Sequence, residues 1–490
     1  MIVVPDDWDD WFQYNTQYRL TYQDAGNNRT LIGSVKIGQF DMPKGQSRPD
    51  LPSTFEQLDD RFFSLGQDDS YYRDLGRIST DFRAEVLQAL RDVAFDEELF
   101  QRALAENVTG TSLLRSVPRA TVQGQFRRMA RGGPRRTRYH FVYTPPAASS
   151  GASTPLTFDV RPKSQPPTNI HVLIGRNGVG KTHALNHMTR ALADERATAD
   201  EVGTFEVDQG GLRGSFANLV SVTFSAFDPF EPLPSPRNKA SGLEYSYIGL
   251  KHVRKPDESG PKDWQALAAE FGKSVRVCLN GARQARWRRA LTMLESDPIF
   301  SDAGVAGLAD AATDDKELRR QARLLFRKLS SGHKIVLLTM ARLVETVSER
   351  SLVLLDEPEA HLHPPLLSAF TRALSDLLSD RNGVAIIATH SPVVLQEVPR
   401  SCVWKIRRSG WDTVVERPTI ETFGENVGVL TREIFGLEVT HSGFHRLLDE
   451  ALEEADTYEE VLEKFDGQLG SEARILVRTL LAAREAEGSR

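Results

Sequence analysis

Cysteine is nearly absent: the chain of 490 residues holds two, Cys278 and Cys402, far apart and in no CxxC spacing. That excludes a disulfide framework and a structural zinc ribbon, and it suits a reducing compartment. No apolar run approaches the roughly 20 residues that cross a bilayer, and the acidic opening MIVVPDDWDDW lacks the basic region and apolar core of a signal peptide. A cytoplasmic location without a membrane partner is expected. Positive charge is not in surplus either. The 61 basic and 67 acidic residues leave a net charge of −6, which argues against a uniformly basic nucleic-acid binder while leaving local patches open. What remains is an ordinary globular composition, 40% hydrophobic and 26% charged, long enough for roughly two to four structural units.

The first 150 residues carry few chemical signals. Tyr18–Tyr22 and Leu31–Ile37 alternate like strands around the turn-forming Ala25-Gly26-Asn27-Asn28. Helical spacing runs from Asp81 to about Val108, with Ser79 or Thr80 as cap. Arg115, Arg119, Arg127, Arg128, Arg131, Arg135, Arg136 and Arg138 form a basic run without interleaved acids, and Arg283, Arg286, Arg288 and Arg289 form another. Both fit a surface paired with acids elsewhere, and both fit nucleic-acid contact. The stretch from Pro145 to Pro155 reads as a linker.

The chemistry begins after it. Gly175-Arg176-Asn177-Gly178-Val179-Gly180-Lys181-Thr182 follows a short apolar strand and opens a helix, which is the spacing of a P-loop. Its glycines let backbone N–H groups turn inward around a phosphate, Lys181 reaches the outer phosphates, and the Thr182 hydroxyl is a Mg²⁺ ligand. ATP and Mg²⁺ are the expected cofactors. The apolar strand Ser351–Leu355 ends in Asp356 and Glu357, a carboxylate to hold a hydrated metal and one to deprotonate an attacking water. Another apolar strand, Val384–Thr389, ends at His390, which suits a γ-phosphate contact. Ser330-Ser331-Gly332 begins a helix and supplies a second anion-binding helix end.

Taken together, GRNGVGKT, LSSGHK, LVLLDEPEAHLHP and IIATHSP resemble the ABC-type ATPases, in particular the cytosolic branch related to SMC, RecF and OLD proteins. The resemblance implies an α/β P-loop core and a head-to-tail homodimer with two ATP molecules between the copies. Ser330, Ser331 and Gly332 would act across that dimer, Asp356 would be the Walker B carboxylate, Glu357 the catalytic base and His390 the switch histidine. Glu359 to His363 would couple the two sites. The motifs are also similar to those of Septu-type anti-phage ATPases, which would make an HNH nuclease the effector; a RecF- or SMC-like role on DNA is the alternative.

Some positions depart from the family pattern. No glutamine ends the strand near Thr223, leaving Asp228 as the nearest polar substitute, and the segment before Leu329 is too short and too broken by Pro and Gly for a coiled coil. The expected layout is an N-terminal β/α region (1–150), a core segment with the P-loop (151–227), a helical insertion (228–328), a core segment with signature, Walker B and switch histidine (329–410), and a mainly helical extension (411–490). His441 and His445 lack companions at ligand spacing, so no metal is expected there.

Overall fold

The computed structural model describes residues 1–6, 13–42, 45–147, 153–207, 216–224, 230–234, 243–253, 261–310, 315–409, 412–436, 443–455 and 457–488. Asp228 and His441 lie outside these residues.

The N-terminal body is a four-stranded antiparallel sheet, β1 (Ile2–Pro5), β2 (Gln17–Gln23), β3 (Arg29–Gln39) and β4 (Phe62–Gly66), in that order. The β2–β3 hairpin turns where the Gly-Asn chemistry expected it, with Asn27 at a φ of 64°. Three helices follow: α1 (Asp69–Ile78), α2 (Thr80–Ala89), capped by the Ser79 hydroxyl, and α3 (Glu97–Ala103). They bury Tyr71, Tyr72, Leu87 and Phe100 against Leu20, Val35 and Phe63 in a core of their own.

The centre of the molecule is a seven-stranded sheet. In chain order the remaining strands are β5 (Tyr139–Thr144), β6 (Leu156–Val160), β7 (Ile170–Ile174), β8 (Thr204–Val207), β9 (Asn218–Thr223), β10 (Glu244–Gly249), β11 (Ser351–Asp356), β12 (Val384–Thr389), β13 (Val403–Ser409) and β14 (Asp412–Glu416). The large sheet runs β10-β9-β11-β12-β7-β13-β14, and all its pairs are parallel except β13–β14. Strands buried on both faces must be largely apolar, and β7, β11 and β12 are, with His171, Ser351 and Thr389 buried among the apolar residues. Alternate residues serve opposite faces: Leu352 and Leu354 pack towards the small antiparallel sheet β6-β5-β8 with Phe141 and Phe158, while Val353 and Leu355 pack on helices.

Those helices are α4 (Lys181–Ala193), α5 (Trp264–Cys278), α6 (Ala282–Leu294), α7 (Pro298–Ala303), α8 (Asp315–Lys328), α9 (Ser331–Thr346) and α10 (Pro364–Arg381). All but α4 contribute to the second face, where α5 to α8 form the compact helical insertion. Beyond the sheet lie α11 (Val427–Phe435), α12 (Phe444–Glu453), α13 (Tyr458–Lys464) and α14 (Ser471–Gly488); the last three enclose a separate small core around Leu448, Leu452, Val461 and Val477.

The boundaries expected at 150, 228 and 410 each fall between strands of one sheet: β5 pairs with β6, β9 with β10, and β13 with β14. Thus β5 joins the core layer rather than the N-terminal body, and β10 adds an edge strand within what reads as a helical insertion. Among the described residues no helix is long and apolar enough to cross a membrane.

Candidate nucleotide site

Parallel strands bring their carboxyl ends to one edge of a sheet, where an α/β fold builds its site. Here the register is level: Asp356 lies opposite Ala388 and Thr223, and Thr389 lies opposite Ile174. The P-loop, the carboxylate pair and His390 therefore emerge side by side.

The loop after β7 is held close to the sheet. A Cβ on Gly175 would sit 2.2 Å from the Ile406 carbonyl oxygen, so only glycine lets the chain pass β13 there. Gly178 and Gly180 adopt φ of 80° and 98°, and Gly180 is the N-cap of α4 with no side chain to occupy the first helical N–H groups. Those donors and the positive end of a 13-residue helix suit a phosphate. Lys181 is 3% exposed and folds over the loop, its Nζ donating to the Gly175 and Arg176 carbonyls at 3.0 and 2.8 Å. Burial lowers its pKa, partly offset by Glu357, Asp356 and Glu359.

The Thr182 hydroxyl donates to Asp356 Oδ1 at 3.2 Å. Adjacent oxygens around a hexacoordinate Mg²⁺ at about 2.1 Å stand about 3 Å apart, so this pair of hard donors fits that ion. A cleft opens beside them, lined by Asn186, Ser221, Glu231, Tyr245 and Tyr247, where the chain leaves β9. The Asp228 substitute expected there lies outside the described residues.

Glu357 holds a left-handed backbone, φ 44°, which costs a non-glycine residue about 1 kcal/mol or more and which its N–H bond to the Ala388 carbonyl at 2.9 Å helps to fix. Its Oε1 lies 3.9 Å from His390 Nδ1. Glu359 grips the switch more tightly. Its Oε1 accepts from the Thr389 hydroxyl at 2.5 Å and the His390 backbone N–H at 2.7 Å, and lies 3.1 Å from His390 Nδ1. The segment Glu359–His363, expected to couple two sites, thus begins with a carboxylate that holds Thr389 and His390.

Ser330 is the N-cap of α9, and Ser331 and Gly332 open the helix, where a second anion-binding end is expected from the sequence. They are separated from the P-loop in sequence and serve a different helix end. Gly332 is buried against the loop after Glu357, where a Cβ would meet the His361 carbonyl oxygen at 2.2 Å. His333, in the place where the familiar signature has glutamine, contacts Ser330 and Asp297. Asp297, from the insertion, carried no sequence signal of its own.

Many arginines of the basic runs are paired with acids, Arg286 in the interior and Arg138, Arg288 and Arg289 at the surface. Arg127 pairs with Glu97 at 2.9 Å, Arg128 with Glu349 at 2.7 Å and Arg138 with Asp159 at 3.0 Å. Arg135 bridges Asp69 and Asp380, Arg286 reaches Asp68 and Asp380, and Arg289 reaches Asp376 and Asp380. His445 is buried on α12 with its ring stacked on Phe444, and among the described residues no group of three or more potential ligands could hold a metal.

Residues 297–396 match a family model described as "AAA domain, putative AbiEii toxin, Type IV TA system". Protein ea59 of Escherichia phage lambda is 41% identical over 502 aligned positions, covering 98% of this chain and 94% of the relative. The chain belongs to the ea59 family. Among solved structures, a metal-chelate type ABC transporter in an inward-facing conformation shares 17% identity at a TM-score of 0.31, over 61% of this chain and 89% of the other. UvrA2 from Deinococcus radiodurans shares 14% at 0.28, over 58% and 38%. This relative of ea59 gathers its glycine loop, its Asp356–Glu357 pair and the helix opened by Ser331 around one large, mostly parallel sheet in a mixed α/β fold.

Proposed function

We propose that the chain hydrolyses Mg-ATP in a head-to-tail homodimer and that closure of this dimer controls a separate effector. The observation that carries the proposal is the level edge on which Lys181, the Thr182–Asp356 pair, Glu357 and the Glu359-held His390 converge. Bound Mg²⁺ would draw charge from the phosphates. Lys181 would leave the Gly175 and Arg176 carbonyls for the β- and γ-phosphates, since a charged donor gains more from a phosphate oxygen than from neutral carbonyls. Glu357 would take a proton from the attacking water as its oxygen bonds to the γ-phosphorus and the bond to the β-phosphate oxygen breaks. His390 would donate to the γ-phosphate and report its loss to the clamp at Glu359. Glu357→Gln keeps the shape and removes the base, so it would bind ATP and favour the closed dimer.

The signature helix lies outside this constellation, which supports its use on the nucleotide of another copy. The residues of the motifs, with their likeness to anti-phage ATPases, favour a nuclease of the HNH kind as effector. The phage origin of the ea59 relative directs the search for that effector to phage-encoded or phage-directed proteins. The arginine runs are largely spent on ion pairs, which disfavours the alternative of a RecF- or SMC-like DNA machine reading DNA through them.

The composite site has a direct test. Ser330→Arg sets a bulky cation against the partner's γ-phosphate, and Lys181→Ala weakens phosphate binding in its own loop. Each variant alone should be inactive, while a mixture should regain about a quarter of wild-type phosphate release, because half the dimers are mixed and each has one intact site. A mixture as inactive as its components would sink the head-to-tail model.

A further inference from the structure

Three side chains near the signature, Asp297, His333 and His363, have no part in the mechanism above, and they meet around one buried carboxylate. Asp297 caps α7: its Oδ1 accepts from the Ile299 and Phe300 N–H groups at 3.0 and 3.2 Å. The same oxygen is 3.0 Å from His333 Nε2, and Oδ2 is 3.3 Å from His363 Nε2. Asp297 and His333 are each 4% exposed. His333 belongs to the signature helix and His363 is the N-cap of α10 at the end of the coupling loop, so one carboxylate from the insertion ties together two elements that would face a partner's nucleotide.

Hydrogen-bond direction follows from what each group can do. A carboxylate only accepts, so His333 Nε2 carries a hydrogen. In the neutral ring Nδ1 is then bare, and its 2.6 Å contact with Ser330 Oγ requires the serine to donate. Ser330 is the N-cap of α9, yet its side chain makes no cap hydrogen bond. Its hydroxyl hydrogen is spent on the ring and is not available to a phosphate oxygen. A proton added at Nδ1 reverses the contact: the ring donates to Ser330 Oγ, and the serine hydrogen becomes free for the phosphate. Negative charge arriving at the head of α9 favours that added proton, and Asp297 balances it.

We propose that His333 is a positioning residue whose protonation turns the Ser330 hydroxyl towards the γ-phosphate held by a second copy, so that dimer closure takes up a proton. The proposal rests on the composite-site reading. The other groups facing His333 are few. His363 shares its carboxylate from α10, with the two rings 6.1 Å apart, and Phe300 of α7 lies against it edge-on at 4.8 Å. From the coupling loop His361 presents its carbonyl oxygen to Gly332, and on α9 Lys334 sets its Nζ 5.2 Å from the Trp264 ring centroid. One carboxylate between two imidazoles neutralises one added proton, so His363 competes with His333 for it.

The test uses the full chain carrying Glu357→Gln, which stops turnover. Heats of Mg-ATP binding are measured by titration calorimetry in two buffers of different ionisation enthalpy, at mildly alkaline pH, for this variant and for Glu357→Gln combined with His333→Gln. Glutamine keeps an N–H donor for Ser330 and cannot titrate. The expected result is net proton uptake with the single variant, its loss in the double variant, and ATP-dependent dimers for both by size-exclusion chromatography. Glu357→Gln with Asp297→Asn, which leaves His333 in place without its counter-charge, should lose the uptake as well and guards against a folding effect of His333→Gln. Equal uptake with and without His333 would overturn the gating while leaving the ATPase reading intact. Absence of ATP binding in the Glu357→Gln chain would remove both.

Discussion

Glu359 is the residue that holds His390, the proposed switch. One of its oxygens holds the Thr389 hydroxyl, the His390 N–H and the His390 ring, whereas the other, Oε2, is buried without a partner. An unpaired buried carboxylate oxygen is costly, which makes this clamp an arrangement that a change at the γ-phosphate can tip. Glu359→Gln should keep the bond to the His390 N–H but lose charge beside the ring. Phosphate release should then fall about tenfold, a typical loss for a misplaced catalytic group, with ATP affinity within about twofold. Steady-state kinetics with a separate nucleotide-binding measurement would separate the two, and an unchanged kcat would deny Glu359 its role. At this scale the sequence was informative, because a P-loop, a carboxylate pair and a strand-end histidine are local patterns with their own chemistry. It could not single out Asp297 or the ring of His333, whose meaning lies in a contact 36 residues apart.

The signature helix works as an element because it sits directly on the loop that follows Glu357. Gly332 makes that approach possible: there is no room for a Cβ at 2.2 Å from the His361 carbonyl oxygen, and that atom is backbone, which cannot swing aside. Gly332→Ala should therefore push the head of α9 from the coupling loop while leaving α4 and the P-loop untouched. ATP should still bind in its own loop, and hydrolysis should drop by about a hundredfold or more, as for loss of a donor made only at the transition state. Wild-type hydrolysis by Gly332→Ala would show that this approach is packing alone. Strands β7, β11 and β12 were legible as elements because strands buried on both faces are largely apolar. Helix α1 was not, since Gly76 interrupts it and its burial falls on Tyr71, Tyr72 and Leu75 within a mixed polar run. Strand β10 was hidden for a similar reason, lying in a stretch rich in Pro, Gly and charge whose six-residue alternation gains meaning only from its neighbour β9.

At the scale of the whole molecule, the arginines decide how the three bodies join. Arg135, which follows the N-terminal body, pairs with Asp69 of α1 and with Asp380 of α10; Arg286 of the insertion reaches Asp68 and Asp380; Arg381 reaches Asp69 at 3.1 Å. A basic run in a sequence does not disclose partners more than 200 positions away, so the choice between surface and junction needed the fold. Asp380 is pushed up by burial, but Arg135, Arg286 and Arg381 together outweigh that and hold its carboxyl below the ordinary range. A depressed folded pKa stabilises the fold above the unfolded value of about 4, and the contribution is lost as pH falls from there through the folded value. Asp69, pushed up by burial and by the neighbouring Asp68, works in the opposite sense. Arg135→Ala removes a cation from both carboxylates, raising both folded pKa values. It should lower stability at neutral pH by less than the roughly 3 kcal/mol of a buried charge left wholly unpaired, since Arg381 still faces Asp69 and Arg286 still faces Asp380, and acid unfolding should begin at a higher pH than in the parent chain. Urea midpoints at neutral pH and an acid titration followed by circular dichroism would measure both effects; an unchanged acid midpoint in Arg135→Ala would mean that the junction is held by apolar packing and the ion pairs contribute little.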